Sequence, residues 1–281
     1  MTPPDEPGLP AAVAPPPART IAYGSDPAQV YDVRLPAGTA AGTAAGASPT
    51  TSPTSTGTTP TGTTVVIVHG GFWRQEYDRA HAAGQAQAFA DAGHHVAVVE
   101  YRRVSMPGGG WPGTFDDVAA AIEAIRADPT LPDRCVLVGH SAGGHLVTLA
   151  ASQPWAHGIR GAVSLAGCVD LVRGVELGMG GTAVPDFLGA APATDASAPL
   201  AAADPALTTP AVPVVLIHGD ADDVVPLEVS RSYLAKVESS TAQHAAVRLL
   251  PLPGADHSVL IDPADPAFAV VLREVASLTQ D

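Results

Sequence analysis

The feature that most constrains this chain is a repeated alternation between short aliphatic runs and longer amphipathic stretches. Val65-Val66-Ile67-Val68-His69, Val96–Tyr101, Cys135–Val138, Ile159–Leu165, Val212–Ile217 and Ala246–Leu250 are each short, and most are rich in β-branched residues. Near-continuous apolar runs of this length suit strands covered on both faces, the condition of a parallel sheet. The intervening stretches carry helix signals. Asp78–Ala92 stops at Gly93, and Thr114-Phe115-Asp116-Asp117 looks like a capping box ahead of Val118, Ala121, Ile122 and Ile125 on one face. Ala142–Ser152 stops before Pro154, and Leu227–Glu238 follows later. The last helix has Asp265 as N-cap, Pro266 at its first position, and Phe268, Val271, Leu272 and Val275 at core spacing. The pattern predicts an α/β fold with a mostly parallel central sheet and helices on both faces. Two short strand-like pieces, around Thr20–Tyr23 and Val30–Leu35, precede it across the turn Gly24-Ser25-Asp26-Pro27.

At 281 residues the chain can bury a sizeable core, and residues 19–281 are expected to form a single domain. Residues 1–18 are rich in Pro and Ala and are expected to be a disordered tail. Pro36–Thr64 uses only Pro, Ala, Gly, Thr and Ser. With no large side chain to bury it cannot offset its ordering entropy, so 36–64 is expected to be a low-complexity surface loop. Residues 168–210 hold several Gly and Pro and little periodicity, and read as a small lid or a pocket wall.

The charge balance is 14 Lys+Arg against 28 Asp+Glu, net -14, with Lys236 the sole lysine. That argues against a nucleic-acid or anionic-membrane partner, since both need clustered basic side chains. No apolar stretch approaches the roughly 18 residues of a membrane span. Met1-Thr2-Pro3-Pro4-Asp5-Glu6 carries acid where a signal peptide needs positive charge, so the expected location is the cytoplasm. Cys135 opens one strand and Cys168 closes the next; they are expected to be buried thiols, too far apart for a disulfide.

The strongest chemical signal is Gly139-His140-Ser141-Ala142-Gly143, directly after the strand Val136-Leu137-Val138 and directly before a helix. In the G-x-S-x-G elbow the serine sits on a strained turn that lifts its hydroxyl above the sheet, at a helix N-terminus that favours negative charge. Such a serine needs a base, and the base an orienting carboxylate. The loop after Val214–Gly219 offers Asp220, Asp222 and Asp223. The loop after the last strand, Gly254-Ala255-Asp256-His257-Ser258, offers His257. The order Ser, Asp, His, each at the C-terminal end of a strand, is where open α/β sheets place their sites. His257 is the best base of ten histidines. His69, His140 and His218 also end strands but occupy positions that pack or hydrogen-bond in place. Backbone N–H groups of Gly71 and Phe72, in His69-Gly70-Gly71-Phe72-Trp73, and of Ala142 are candidate oxyanion donors.

These stretches resemble the α/β-hydrolase superfamily, and within it the kynurenine formamidase-like and carboxylesterase branch. The resemblance rests on His69-Gly70-Gly71-Phe72-Trp73, on Gly139-His140-Ser141-Ala142-Gly143-Gly144-His145-Leu146, on His218-Gly219-Asp220-Ala221-Asp222-Asp223-Val224-Val225-Pro226, and on Asp256-His257. It covers roughly residues 20–280 without the 36–64 insertion, which is longer than the family pattern expects. It implies Asp222 as the acid. It also implies a cofactor-free serine hydrolase acting on a small carboxylic ester through an acyl-enzyme on Ser141, with aryl formamide hydrolysis of the N-formylkynurenine type as the alternative. Trp73, Trp111, His140 and Phe187 are expected near the substrate pocket, with Leu177, Met179 and Leu188 on its far wall. Asp116, Asp117 and Glu123 are expected to be helix-cap and solvated charges. A prolyl-oligopeptidase-type enzyme would need room for a propeller domain. A non-catalytic binding protein predicts a missing triad member, and all three are present. A metal hydrolase built on His140 and His145 lacks usual ligand spacing, so no metal is expected.

Overall fold

The computed structural model describes residues 14–36, 62–189 and 198–280. Most of the tail 1–18, most of the loop 36–64 and residues 190–197 of the 168–210 segment lie outside the described residues.

The aliphatic runs form one eight-stranded sheet: β1 (Arg19–Ala22), β2 (Val30–Arg34), β3 (Thr64–Val68), β4 (His95–Val99), β5 (Cys135–His140), β6 (Ile159–Leu165), β7 (Val214–Gly219) and β8 (Val247–Leu252). The helices are α1 (Ala83–Asp91), α2 (Gly113–Ala127), α3 (Ala142–Ala150), α4 (Leu171–Glu176), α5 (Ala183–Leu188), α6 (Ala198–Ala203), α7 (Leu227–Ser239) and α8 (Phe268–Thr279). Strand order is β1-β2-β4-β3-β5-β6-β7-β8. β3 to β8 pair in parallel, while β1 pairs with β2 and β2 with β4 in antiparallel, adding an antiparallel edge.

Burial on both faces explains why the runs are continuous rather than alternating. Val66, Val68, Val99, Leu137 and Leu216 join the layer that holds α2, α3 and α7, whereas Val65, Ile67, Val98, Val138 and Ile217 join the one that holds α1 and α8. Each Val or Ile removed from water in this way contributes roughly 1.5–3 kcal/mol. The helices α4, α5 and α6 of the 168–210 segment also join the first layer, through Leu171, Val184, Phe187 and Leu200. Lys236 of α7 ties down the start of α4, its Nζ lying 2.7 Å from Oδ2 of the fully buried Asp170. Cys135 and Cys168 are buried and not joined in a disulfide, and burial pushes the Cys135 thiol up to about 12.

Several expectations are corrected. The helix expected over Asp78–Ala92 begins as a 3-10 turn, Arg79–Ala82, capped by Asp78, before α1 proper. β8 runs on through Pro251, which is tolerated because β8 is an edge strand. Asp265 does not cap α8 directly; its carboxylate accepts from the N–H of Ala267 in the turn before it. No capping box opens α2. The Thr114 hydroxyl donates to the Arg102 carbonyl at 2.6 Å, and Asp117 is neither a cap nor solvated. Its buried carboxylate accepts from Arg102 Nε at 2.8 Å, Arg102 Nη2 at 2.7 Å, the Arg102 N–H at 2.9 Å and Gln29 Nε2 at 2.7 Å. The first turn of α2 packs on the loop after β4, so its polar side chains serve that loop instead of the helix end. Asp116 and Glu123 are exposed as expected.

Removing one partner of a buried, fully bonded carboxylate strands the others. Asp117→Ala should therefore lower unfolding stability by about 2–4 kcal/mol in urea titration. Glu123→Ala, on the exposed face of the same helix, should change it by less than about 0.5 kcal/mol.

Candidate active site

The site lies where strand order reverses, at the C-terminal ends of β3 and β5. Ser141 has φ 54° and ψ -117°, a left-handed conformation that costs a non-glycine residue on the order of 1–3 kcal/mol. It is held by its own N–H donating to the Leu165 carbonyl at 2.9 Å, and by its carbonyl accepting from Cys168 N at 3.2 Å and His145 N at 3.1 Å. The flanking glycines are required by proximity. A Cβ at Gly143 would lie 2.0 Å from the Val68 carbonyl oxygen, and one at Gly139 would lie 2.2 Å from the Gly143 carbonyl oxygen. The motif spacing thus reports a direct approach of α3 to the end of β3.

Of the three candidate acids after β7, the structure brings Asp222 to His257. Its Oδ2 accepts from His257 Nδ1 at 2.8 Å, and its Oδ1 accepts from the N–H groups of Val224 at 2.9 Å and Val225 at 2.8 Å. Asp223 is exposed, and Asp220 is turned to the Gly254 N–H at 2.6 Å. Burial would raise the Asp222 carboxyl, but the His218 ring 3.3 Å away and the hydrogen bond from His257 outweigh it and hold the group well below the usual carboxylate range. An ionised carboxylate only accepts, so Nδ1 of His257 carries the hydrogen and Nε2 presents a lone pair. That Nε2 and the Ser141 Oγ are both buried, and neither has a hydrogen-bond partner. The two atoms therefore do not bond each other in this arrangement. His257 is tied to the serine turn through the residue before the serine. That residue, His140, donates from Nε2 to the His257 carbonyl at 2.9 Å and packs its ring 4.5 Å from the His257 ring. Burial, with His257 alongside, pushes the His140 ring well below the ordinary histidine range.

The loop after β3 carries the other donors. Gly71 has φ 107°, and the non-glycine residues Phe72 and Trp73 have φ 48° and 58°. Among the described residues the N–H groups of Gly71, Phe72 and Ala142 donate to no carbonyl or side chain. Of the residues expected around the pocket, Trp73 and Phe187 are fully buried and stack at 4.6 Å. Trp111 packs against Phe187 at 6.2 Å and is half-buried, Met179 and Leu188 are buried, and Leu177 is exposed. His145 donates to the Ala203 carbonyl at 2.7 Å.

Sequence reasoning missed the support beneath this loop. Glu100, just after β4, is buried; it bonds His69 Nε2 at 3.1 Å and the Arg79 N–H at 3.0 Å, and it pairs with Arg103. Tyr101 stacks on His69 at 4.4 Å and donates to its carbonyl at 2.8 Å. The available signal was a glutamate ending an apolar run at the active edge. Burial would raise the Glu100 carboxyl, but His69, Arg103 and the Arg79 N–H hold it at about 2. His218 was singled out only as a packing histidine; it also approaches Asp222, at 3.3 Å.

Among the described residues no helix is long and apolar enough to cross a membrane, and no group of three or more His, Cys, Asp or Glu side chains is arranged to hold a metal ion.

A mostly parallel sheet with a serine elbow between its central strand and helix, and an Asp and a His on later strand ends, is the α/β-hydrolase fold. Solved structures agree. Thermogutta terrifontis esterase 2, phosphoramylated by tabun, superposes with a TM-score of 0.67 at 19% identity, covering 92% of each chain. A truncated carbohydrate esterase from gut microbiota gives 0.68 at 20% identity, over 94% of this chain and 97% of that one. The BD-FAE family model matches residues 52–237, and the chain belongs to that family. It is also 26% identical over 224 residues to a Mycobacterium tuberculosis (strain ATCC 25618 / H37Rv) protein named probable carboxylic ester hydrolase LipM. That match spans 68% of this chain and 49% of the relative, so the chain spans about half the length of the curated protein it matches.

A carboxyl whose folded value lies below its free value of 4.5 adds stability above that pH and loses it as pH falls toward about 2. Glu100→Gln should therefore flatten the fall of unfolding free energy across that window. It should also lower stability near neutrality by about 1–3 kcal/mol, read by urea unfolding at a series of pH values.

Proposed function

We propose that the chain is a serine hydrolase that cleaves small carboxylic esters through an acyl-enzyme on Ser141. The observation that carries this is the 2.8 Å bond from His257 Nδ1 to Asp222, which fixes the tautomer and leaves Nε2 as an unengaged base on a loop tied by His140 to the serine turn, whose hydroxyl is likewise unengaged. In this reading Ser141 Oγ attacks the ester carbonyl while His257 Nε2 takes its proton. The oxyanion is met by the N–H groups of Gly71, Phe72 and Ala142, each such donor typically worth about 3 kcal/mol. The tetrahedral intermediate collapses, the alcohol leaves with the proton returned by His257, and water then cleaves the acyl-serine by the same route. Nucleophile, base and acid all come from the chain, so these steps need no cofactor.

An ester substrate, rather than an aryl formamide, is favoured by the names of the matched relatives: an ester hydrolase and several esterases. A chain with a net charge of -14 and one lysine has little with which to hold nucleic acid or an anionic membrane.

Ser141→Ala should lower kcat on p-nitrophenyl acetate by on the order of 10^4-fold or more with an unchanged circular dichroism spectrum. Retained turnover would remove Ser141 from the mechanism. Asp222→Asn should lower kcat by on the order of 10^3–10^4-fold, because the wrong tautomer of His257 becomes available, whereas Asp223→Asn should change it less than about threefold. A kcat/KM on N-formylkynurenine above that on every acyl ester tested would reverse the choice of substrate.

A further inference from the structure

We infer that His218 is a positioning residue that shares the Asp222 carboxylate with His257 and limits how strongly that carboxylate acts on the His257 ring. The inference rests on the triad reading above and deepens it. His218 is the second-last residue of β7 with its side chain fully buried, and both ring nitrogens are engaged. Nε2 lies 2.7 Å from the Val225 carbonyl oxygen, which can only accept, so Nε2 carries the hydrogen. Nδ1 therefore presents a lone pair to the Ser230 hydroxyl of α7, 2.7 Å away, which donates to it. The same Nε2 also lies 3.3 Å from Asp222 Oδ2. That is the very oxygen His257 uses, at 2.8 Å, whereas Oδ1 is occupied by the Val224 and Val225 N–H groups.

Two imidazoles thus face one carboxylate oxygen, His257 through a 2.8 Å hydrogen bond and His218 through an N–H whose nearer acceptor, at 2.7 Å, is the Val225 carbonyl. A second donor on an acceptor withdraws charge from the bond to the first, so Asp222 pulls less on His257 than an unshared carboxylate would. Removing the His218 donor has two consequences of the same sign. Oδ2 then acts on His257 alone and makes its Nε2 more basic, and Asp222 itself becomes easier to protonate. Both move the acid-side loss of activity to higher pH. The ionisable groups facing this pair from the elements around it are few. His140 of β5 lies against the His257 ring with His81 beyond it, Asp220 is turned to the Gly254 N–H, and Asp223 is exposed. His218 is the one that touches the shared oxygen besides His257 itself.

The test compares wild type with His218→Leu, His218→Gln and Ser230→Ala. It uses the acid limb of kcat/KM on p-nitrophenyl acetate and, independently, the NMR titration of the His257 ring. His218→Leu should move both upward by roughly half a pH unit, the size expected when part of a charge-assisted hydrogen bond is redistributed. His218→Gln, which can again present an N–H to Oδ2, should leave them in place. Ser230→Ala, which weakens polarisation of the Nε2–H, should move them the same way by less. A merely structural role would lower kcat or the melting temperature with the limb unmoved. An unmoved limb and titration in a folded His218→Leu protein overturns the inference, as does a His218→Gln shift as large as that of His218→Leu. If His218→Leu does not fold, an unmoved titration in Ser230→Ala overturns it instead. A wild type that hydrolyses no ester, but whose His257 titration still follows these substitutions, would sink the hydrolase reading and leave the sharing standing.

Discussion

The structure turns on how closely α3 can approach the end of β3. The Val68 carbonyl sits where a Cβ at Gly143 would be, and that contact sets the pitch of the elbow from which Ser141 projects. Because the same strand end continues into His69-Gly70-Gly71, one constraint fixes both the hydroxyl and the loop of unengaged N–H groups opposite it. The strain at Ser141 persists because three backbone hydrogen bonds, to Leu165, Cys168 and His145, hold the turn from different elements. Rigid strands on either side leave little freedom for the turn to relax.

Charge follows the same economy of supports. The loop after β3 stands on Glu100, a carboxylate held by His69, Arg103 and the Arg79 N–H. The loop after β7 stands on Asp222, held by two histidines and two backbone N–H groups. In both cases burial alone would favour the neutral acid, and in both the local donors reverse that preference. Each carboxylate therefore acts as a fixed negative centre around which a glycine-bearing loop is arranged.

Much of the fold was legible because buried parallel strands and amphipathic helices leave different signatures. Ile159–Leu165 matches β6 residue for residue, and the Gly139–Gly143 motif fell at the strand–helix junction it implies. Asp222 and His257 were legible as loop positions after successive strands, though choosing among Asp220, Asp222 and Asp223 needed either resemblance or coordinates. What was not legible depends on partners distant in sequence. Asp117 reads as a helix-start acid until Arg102 and Gln29 surround it. Glu100 reads as a strand end until His69 and Arg103 arrive from either side. Thr114 looks like a cap because a cap and a loop tether use the same hydroxyl, and only the fold decides which acceptor is nearer. Trp73 and Phe187 were legible as aromatics near the active edge, but not as one stacked block inside the core.

The ion pair between Lys236 and Asp170 has a practical side. Lys236 is the chain's sole lysine, so reagents that modify primary amines have one side-chain target, and its ammonium lies 2.7 Å from a carboxylate with no exposure of its own. Acylating that amine would silence the cation and leave Asp170 to the Ser232 hydroxyl and the Arg173 N–H. Tethering the protein to a support through its lysine would therefore act on the joint between α7 and α4, not on an inert patch of surface. Attachment through an introduced cysteine on the exposed face of α2 would avoid that joint.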